Sequence, residues 1–539
     1  MSRKIGTFLF LAILLQSVFA FASNIIVSGN LTVNTTFTND NTYLLKGFVY
    51  VKSGATLTIQ PGTIIYGDKD TKGALIVEQG AKIIADGTSA QPIVFTSALP
   101  AGQRNYGDWG GVIICGRAPI NVPGGTAVIE GGVGSTYGGT DPNDNSGTLR
   151  YVRIEFPGIA FQPNNEINGL TMGGVGAGTT IEYVQVSYSG DDGFEFFGGT
   201  VNAKYLISLR TLDDDFDTDF GYSGKVQYAV CLRDPNAADV SASHGFETDN
   251  DAQGTTNTPK TSALFSNVTL VGPQANSSVV VNPNYRRAAH LRRNTEFSFY
   301  NSVVLGWPGA GILIDANTTA DNATNNLLQI RNVVLAGKDT VTTNATNGFN
   351  ALSWFDTPAF GNTRVATSAG VGLADPFNLT NPNFTPLAGS PASSGADFTN
   401  PRLAGGFFTA TAFRGAFGNT RWDGKWANYN PQFSIYSILS EVKIRENTNV
   451  IPAVYMLEQN YPNPFNPSTQ IRYGLPKAGQ VSLKIYDLTG KELATLVDKF
   501  QPAGEFTVTV DAKGLTTGVY FYRLSTANYN EVRRMMFVK

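Results

Sequence analysis

Leu149-Arg-Tyr-Val-Arg-Ile154, Ile181-Glu-Tyr-Val-Gln-Val186, Lys204-Tyr-Leu-Ile-Ser-Leu209 and Val226-Gln-Tyr-Ala-Val-Cys-Leu232 are four versions of one short strand. Their tyrosines, Tyr151, Tyr183, Tyr205 and Tyr228, fall 32, 22 and 23 residues apart. Looser copies follow as Ser266-Asn-Val-Thr-Leu270, Asn301-Ser-Val-Val-Leu305 and Arg331-Asn-Val-Val-Leu335. An earlier pair is Val51-Lys-Ser-Gly-Ala-Thr-Leu-Thr-Ile59 and Val77-Glu-Gln-Gly-Ala-Lys-Ile-Ile-Ala85. A recurring unit of this length marks a solenoid. Between copies the chain shows short β-runs broken by Gly and Asn, without helical periodicity. One turn cannot bury its own apolar face, so turns must stack. The geometry expected is a parallel β-helix with coils about 4.8 Å apart; propeller blades would need a longer and more even period.

Composition agrees with a turn-rich all-β chain. There are 539 residues, 58 of them glycine, with 15% charged and 42% hydrophobic residues. Such a length allows two or more domains, and the apolar content suffices for a core. A formal net charge of -3 argues against general binding to nucleic acid or an anionic membrane. The two cysteines, Cys115 and Cys231, sit in apolar strand-like runs and read as buried thiols, with one disulfide as the alternative. The two histidines, His244 and His290, exclude a histidine-rich metal site and leave few candidates for a Ser-His-Asp or Cys-His nucleophile.

Charge is concentrated in one window. From Asp191 to Asp251 there are thirteen acids and four bases. Three coils align within it: Gly193-Phe-Glu-Phe196, Asp215-Phe-Asp-Thr-Asp219 and Gly245-Phe-Glu-Thr-Asp249. Strand alternation turns Phe194, Phe216 and Phe246 inward as a core ladder. It turns Glu195, Asp217 and Glu247 outward in one column, with Asp219 and Asp249 starting a second. Asp191, Asp192, Asp213 and Asp214 stand at the adjoining corners. Carboxylates stacked about 5 Å apart repel by roughly 3 kcal/mol per pair at an effective dielectric of 20. A hard divalent cation with oxygen ligands, Ca²⁺ foremost, offsets that; so do raised pKa values or adjacent arginines. The candidate ligands are Asp191, Asp192, Glu195, Asp217, Asp219, Glu247 and Asp249.

The bases come next, in Tyr285-Arg-Arg-Ala-Ala-His-Leu-Arg-Arg293. Aligning Ala289-His-Leu with Ser243-His-Gly puts Arg292 and Arg293 one coil beyond Phe246 and Glu247. On one reading Arg286, Arg287, His290, Arg292 and Arg293 bind an anionic sugar and one of them is the base. On the other the arginines form a salt-bridge ladder with the acids. Trp109, in Tyr106-Gly-Asp-Trp109, is a candidate platform for a sugar ring or else core packing. The glycine-rich stretches at 131–139 and 173–178 lack the Lys and helix of a phosphate loop and read as turns. Residues 340–400, rich in Asn, Thr, Pro and Gly, read as long loops.

Both ends carry address signals. Arg3 and Lys4 precede an apolar run over residues 8–19, and Ala20-Phe21-Ala22 offers small residues for cleavage before Ser23. This pattern is a secretory signal peptide, too short to span a bilayer comfortably. No other stretch approaches transmembrane length, so no membrane span is expected in the mature chain. At the other end, about seven short alternating strands with Gly and Pro turns suggest a small β-sandwich.

Two family resemblances add to this reading. The ordered motifs Asn460-Tyr-Pro-Asn-Pro-Phe-Asn-Pro467, Lys484-Ile-Tyr-Asp-Leu-Thr-Gly-Lys491 and Gly518-Val-Tyr-Phe-Tyr522 make residues 455–539 resemble the type A C-terminal sorting domain of type IX secretion system cargo. That resemblance implies contact with the secretion machinery, passage through the outer membrane, and release or surface attachment. The stretch Gly80-Ala-Lys-Ile-Ile-Ala-Asp-Gly-Thr-Ser-Ala-Gln-Pro-Ile-Val-Phe-Thr-Ser97 resembles the opening coils of right-handed β-helices of the pectate-lyase-like superfamily. Phe413-Arg-Gly-Ala-Phe417 with Trp422 and Trp426 resembles a closing coil and cap. The superfamily likeness implies, by fold analogy only, calcium-dependent polyuronate cleavage with a basic residue removing the proton beside the uronate carboxylate.

The expected layout is a signal peptide at 1–22, a right-handed parallel β-helix at 23–440, a linker at 441–454, and a C-terminal β-sandwich at 455–539. The expected role is a secreted or surface protein contacting extracellular polysaccharide or matrix. The alternatives are a calcium-dependent lyase or glycoside hydrolase, with Asp217, Glu247 and Arg292 as candidate catalytic residues, and a structural surface component. A hydrolase needs two acids about 5–10 Å apart across a groove, which Glu195, Asp217 and Glu247 are placed to supply.

Overall fold

Val152 pairs with Val184, Val184 with Leu206, Leu206 with Ala229, and Ala229 with Val268, all in parallel register. The four Tyr-bearing strands and Leu264–Val271 are thus successive rungs of one face. The tyrosine preceding each of these pairs has a left-handed backbone: φ is 49° at Tyr151, 54° at Tyr183, 62° at Tyr205 and 63° at Tyr228. Asn267, Asn301 and Asn332 continue the same left-handed positions up the stack. Each bends its strand, so one long run turns a corner and contributes to two faces. A non-glycine residue pays about 1–2 kcal/mol for that conformation. Asparagine tolerates it through local hydrogen bonds. The tyrosines offset it by stacking, with ring centroids 4.4, 4.2 and 4.9 Å apart up the ladder.

The third face is a separate parallel ladder. It runs through Ala74–Val77, Val112–Cys115, Leu170–Gly173, Phe194–Phe197, Phe216–Asp219, Ser243–Thr248, Tyr285–Leu291, Ile312–Ile314 and Val341–Thr343. Its inward side is Leu75, Val112, Leu170, Phe194, Phe216, Phe246, Ala289, Ile312 and Val341, all buried in one core. Phe194 and Phe216 stack at 5.4 Å, and Phe216 meets Phe246 at 5.8 Å. Each such ring stabilises the stack by roughly 1.5–3 kcal/mol through burial. Cys115 and Cys231 are free and buried.

The computed structural model describes residues 24–538 except 163–164, 338–340, 435, 437–443, 448–450, 512–514 and 516. The expected signal peptide at 1–22 lies outside the described residues. The β-helix occupies residues 24–436, and the C-terminal unit follows as a second compact body. Two sequence expectations need correction. Residues 413–426 do not close the last coil. After Thr363–Val365, which adds a last parallel rung onto Val334–Ala336, the chain runs back along the bent corner as a strap. Asp397 exchanges hydrogen bonds with Asn301, Phe413 O accepts from Asn267, and Asn428 exchanges bonds with Gln185. Trp426 sits edge-on to Tyr151 and Tyr183, each at 6.0 Å. Within the expected loops at 340–400, Ala351–Phe355 is a short helix capped by Asn350.

The C-terminal unit is a β-sandwich. One sheet orders Ile444–Asn447, Gly504–Asp511, Ser468–Leu475 and Met456–Leu457; the other orders Glu492–Gln501, Gly479–Tyr486, Gly518–Thr526 and Tyr529–Phe537. Residues 444–447, expected in the linker, are therefore an edge strand of the sandwich, antiparallel to Gly504–Asp511. Two of the quoted motifs meet: Tyr522 Oη accepts from Asn460 N at 2.7 Å and donates to Glu458 O.

The strap's hold on the corner is testable at Asn301. Its amide donates to Asp397 O and Ser266 Oγ, and its Oδ1 accepts from Asp397 N. Asn301→Ala is expected to lower the unfolding free energy of the body by ~2–4 kcal/mol, and Asn301→Gly by about 1 kcal/mol less, because glycine relieves the left-handed strain. All five tryptophans lie in the body, so urea denaturation followed by tryptophan fluorescence reads it in the full chain. Equal losses for the two variants would contradict the strain argument.

Candidate functional site

The outward side of the third face reads Ile76, Ile113, Thr171, Glu195, Asp217, Glu247, His290, Leu313 and Thr342 in successive register. Charge is confined to four consecutive rungs. Three are acids and the fourth is a histidine. The corner before these strands adds Asp191, Asp192, Asp213, Asp214 and Asp215. The site divides into two halves with different electrostatics.

The upstream half carries acids without cationic partners. Ligand-type oxygens of Asp191, Asp192 and Asp213 lie within 4.8 Å of one another, as do those of Asp192, Glu195 and Asp217. Backbone and amide donors satisfy part of the set. Asp192 Oδ1 accepts from Asp214 N at 2.7 Å, and Asp213 Oδ2 accepts from Ser241 Oγ at 2.8 Å. Glu195 Oε1, Asp213 Oδ1 and Asp217 Oδ1 are buried without any hydrogen-bond partner. Glu195 as a whole is 3% exposed. Burial first, and neighbouring carboxylates second, push Asp191, Asp192, Glu195, Asp213 and Asp217 well above the usual carboxylate range. Burial with Asp249 nearby raises Asp219 to about 8. Glu130 joins from the insertion between coils: burial raises it to about 7, its Oε1 accepts from Asn168, and its charge acts on Asp191 and Glu195.

The downstream half is paired. Arg292 bonds Glu247 Oε1 and reaches both oxygens of Asp249, at 2.8 and 3.0 Å. Arg293 bonds Asp249 Oδ2 at 2.7 Å. His244 Nδ1 faces Asp214 Oδ1 at 3.1 Å and Glu247 Oε2 at 3.3 Å. His290 Nδ1 faces Glu247 Oε2 at 3.5 Å, and its Nε2 meets Asp315 at 3.0 Å. Burial alone would raise Glu247; the two histidine rings facing it and the Arg292 charge outweigh it and hold the carboxyl far below its ordinary value. Burial alone would lower His244; Asp214 and Glu247 outweigh it and raise the ring to about 9. Below both halves, Arg233 and Asp215 form a fully buried pair at 3.2 Å.

The structure brings Asp191, Asp192, Glu195, Asp217 and Glu247 into one continuous patch, with Asp219 and Asp249 in the next column. Arg292 and Arg293 face the acids rather than solvent. Arg286 is exposed and Arg287 half-buried; neither forms an ion pair among the described residues. Burial lowers the Arg287 pKa. Trp109 is corrected from a sugar platform to core: it is fully buried, donates to Glu155 O and stacks near Phe95. The expected alignment of His290 with His244 is also corrected. His244 pairs with Arg287, and His290 pairs with Glu247. Sequence reasoning named His290 only among the bases and missed His244, Glu130 and Asp315 as members of the site. Their one sequence signal was that both histidines of the chain flank the same acidic coil.

A stacked parallel ladder with a short charged segment, joined to a separate sandwich, defines an exported β-helix protein. Comparison with known families agrees: residues 29–375 match the pectate-lyase-like beta helix domain, and residues 459–539 match the secretion system C-terminal sorting domain. The chain belongs to the pectate-lyase-like beta helix family. Its sorting domain marks it for export by the type IX secretion system to the cell surface or extracellular space. No helix among the described residues is long and apolar enough to cross a membrane. No curated protein and no solved structure matches the chain.

The raised pKa values fix a pH dependence. An acid whose folded pKa exceeds its unfolded value near 3.9 stabilises below that value and loses the contribution as pH rises through the folded pKa. For Asp219 the window runs from about 4 to about 8. His244, raised to about 9, changes in the same direction, its contribution waning as pH climbs past 6.5 toward 9. In chelator, the urea midpoint of the body is expected to be higher at pH 5 than at pH 8.5, and Asp219→Asn to shrink the difference. A midpoint that rises over this range would refute the assignment.

Proposed function

We propose that the body is a non-catalytic extracellular protein whose acidic face holds Ca²⁺ and through it contacts carboxylate-bearing polysaccharide or matrix. The observation that carries this reading is the upstream acid set. Asp192, Glu195 and Asp217 converge, and Glu195 Oε1 and Asp217 Oδ1 are buried with no donor beside them. Desolvated carboxylates without partners need protons or a cation. An oxygen-only set of several acids suits a hard ion with flexible coordination, which is Ca²⁺ chemistry. Asp191 and Asp213, only partly buried, stand at the rim of such a site. A polyanion repelled by the bare face is attracted once the cation is bound, and the exposed Arg286 adds a second anion contact nearby.

The arginines weigh against catalysis by Arg292. A lyase base must give up its proton near the working pH. Against the lowering effect of burial, bonds to Asp249 and the Glu247 charge raise Arg292 above its ordinary value. One observation favours a lyase as the second reading: Arg287 is lowered by burial, lacks an ion pair among the described residues, and lies in register with His244.

The test uses immobilised polyuronates. The full chain is expected to be retained with Ca²⁺ and released by chelator, with Glu195→Gln and Asp217→Asn each weakening retention at least about tenfold, one lost charge-assisted ligand being worth roughly 1.5–3 kcal/mol. Ultraviolet absorbance of unsaturated uronide ends should stay flat. Calcium-independent retention would refute the reading. Growth of the absorbance, lost in Arg287→Ala, would establish the lyase instead.

A further inference from the structure

The downstream half poses a problem that the arginines do not solve. Asp315 Oδ2 accepts from His290 Nε2, at 3.0 Å, so that nitrogen carries the ring proton. The other nitrogen, Nδ1, is buried. It points at Glu247 Oε2, 3.5 Å away, and makes no hydrogen bond. His244 Nδ1 points at the same oxygen from the neighbouring coil, 3.3 Å away, with Asp214 Oδ1 at 3.1 Å. His244 is 2% exposed, so water does not screen this crowding. Arg292 occupies only Oε1 of Glu247 and leaves Oε2 to the two rings.

Ligand atoms of His244, Glu247 and His290 thus converge within 4.8 Å of one another, with Asp214 Oδ1 against His244 Nδ1. A proton on each ring would relieve each ring separately. A single divalent ion relieves both rings and both carboxylates at once. The spacings from Glu247 Oε2 to the two rings, 3.3 and 3.5 Å, fit: tetrahedral zinc with ligand bonds of about 2.0–2.1 Å has ligand–ligand edges of about 3.3–3.4 Å. The outer contacts fit as well. A metal-bound histidine characteristically donates its other ring N–H to a carboxylate, as His290 does to Asp315. Arg292 on Oε1 fixes Glu247 as a one-oxygen ligand.

We propose that His244, His290 and Glu247 form a binding site for a borderline-soft divalent transition-metal ion of the Zn²⁺ class, with Asp214 Oδ1 beside His244. This nitrogen-bearing site adjoins the oxygen-only acid set upstream, ligand oxygens of Asp217 lying within 4.8 Å of those of Asp214 and Glu247. Nitrogen ligands select against Ca²⁺, and oxygen-only ligands select against zinc. The face therefore carries two cation sites of different character on adjacent rungs. The side chains of Glu247 and His290 are 13% and 12% exposed, which gives the ion a path from solvent.

The test is cobalt substitution in the full, metal-stripped chain at pH 7.5. Co²⁺ is expected to produce the intense visible absorption of a four-coordinate site. Zn²⁺ should bleach it and Ca²⁺ in large excess should not. His290→Gln and His244→Gln should each abolish the band. Asp315→Asn, which leaves the ligands intact, should weaken affinity 10–100-fold. Glu195→Gln should leave the band unchanged while weakening the calcium-dependent retention, so failure of one site does not read as failure of the other. Tryptophan fluorescence verifies folding of each variant. Only the weak spectrum of aqueous Co²⁺ with the native chain, a band that Ca²⁺ bleaches, or a band that survives in folded His290→Gln would each overturn the proposal.

Discussion

Parallel stacking at one coil per rung is the constraint on which everything else depends. Adjacent rungs lie about 4.8 Å apart, so a residue type repeated at one ladder position meets its own copies above and below. For Phe194, Phe216 and Phe246 that is favourable, because rings stack and leave water. For Tyr151, Tyr183, Tyr205 and Tyr228 it offsets the strain of a left-handed corner. For Glu195, Asp217 and Glu247 it is costly, since like charges are held at close range in a partly desolvated column. The fold cannot relax this by sliding a strand. A one-residue slip would turn the phenylalanines outward.

Two remedies appear along the same column. Downstream, Glu247 and Asp249 are neutralised by Arg292, Arg293 and the two histidines, and Glu247 stays ionised. Upstream, Asp192, Glu195 and Asp217 have no such partners and shift toward the protonated form. A stack built for stability alone would carry neutral residues there, as it does at Ile76, Ile113, Leu313 and Thr342. The charged rungs are confined to one short segment of an otherwise neutral ladder, and the corner Asp191–Asp192 and Asp213–Asp215 residues and Glu130 add to that segment rather than dilute it. This concentration sets the patch apart from the neutral rungs above and below it.

Much of this was legible in the chain. The tyrosine spacing gave the coil length, and period-2 alternation placed the phenylalanines inside and the acids outside. The sorting motifs were legible because they occur in order over the whole C-terminal segment. The parts that were not legible share a cause. At Tyr285–Leu291 a bulge inserts one residue against Ser243–Thr248, so Ser243 pairs with Tyr285 while His244 pairs with Arg287. Matching His290 to His244 by local likeness therefore missed the register by three residues and hid the two-histidine cluster. Glu130 comes from an insertion that follows no repeat. Trp422 and Trp426 reach the tyrosine ladder only because the strap runs backwards, which no local pattern announces. The edge strand Ile444–Asn447 lies in a polar stretch and owes its structure to its partner.

The central claim is that the unpartnered acids are held together by a bound cation rather than by protons. Long-wavelength anomalous diffraction from crystals grown at neutral pH with Ca²⁺ tests it most directly. The account predicts a calcium peak among Asp192, Glu195 and Asp217, with oxygen ligands at about 2.3–2.6 Å. An empty site in which these carboxyls share protons, with oxygen pairs at hydrogen-bond distance, would contradict it.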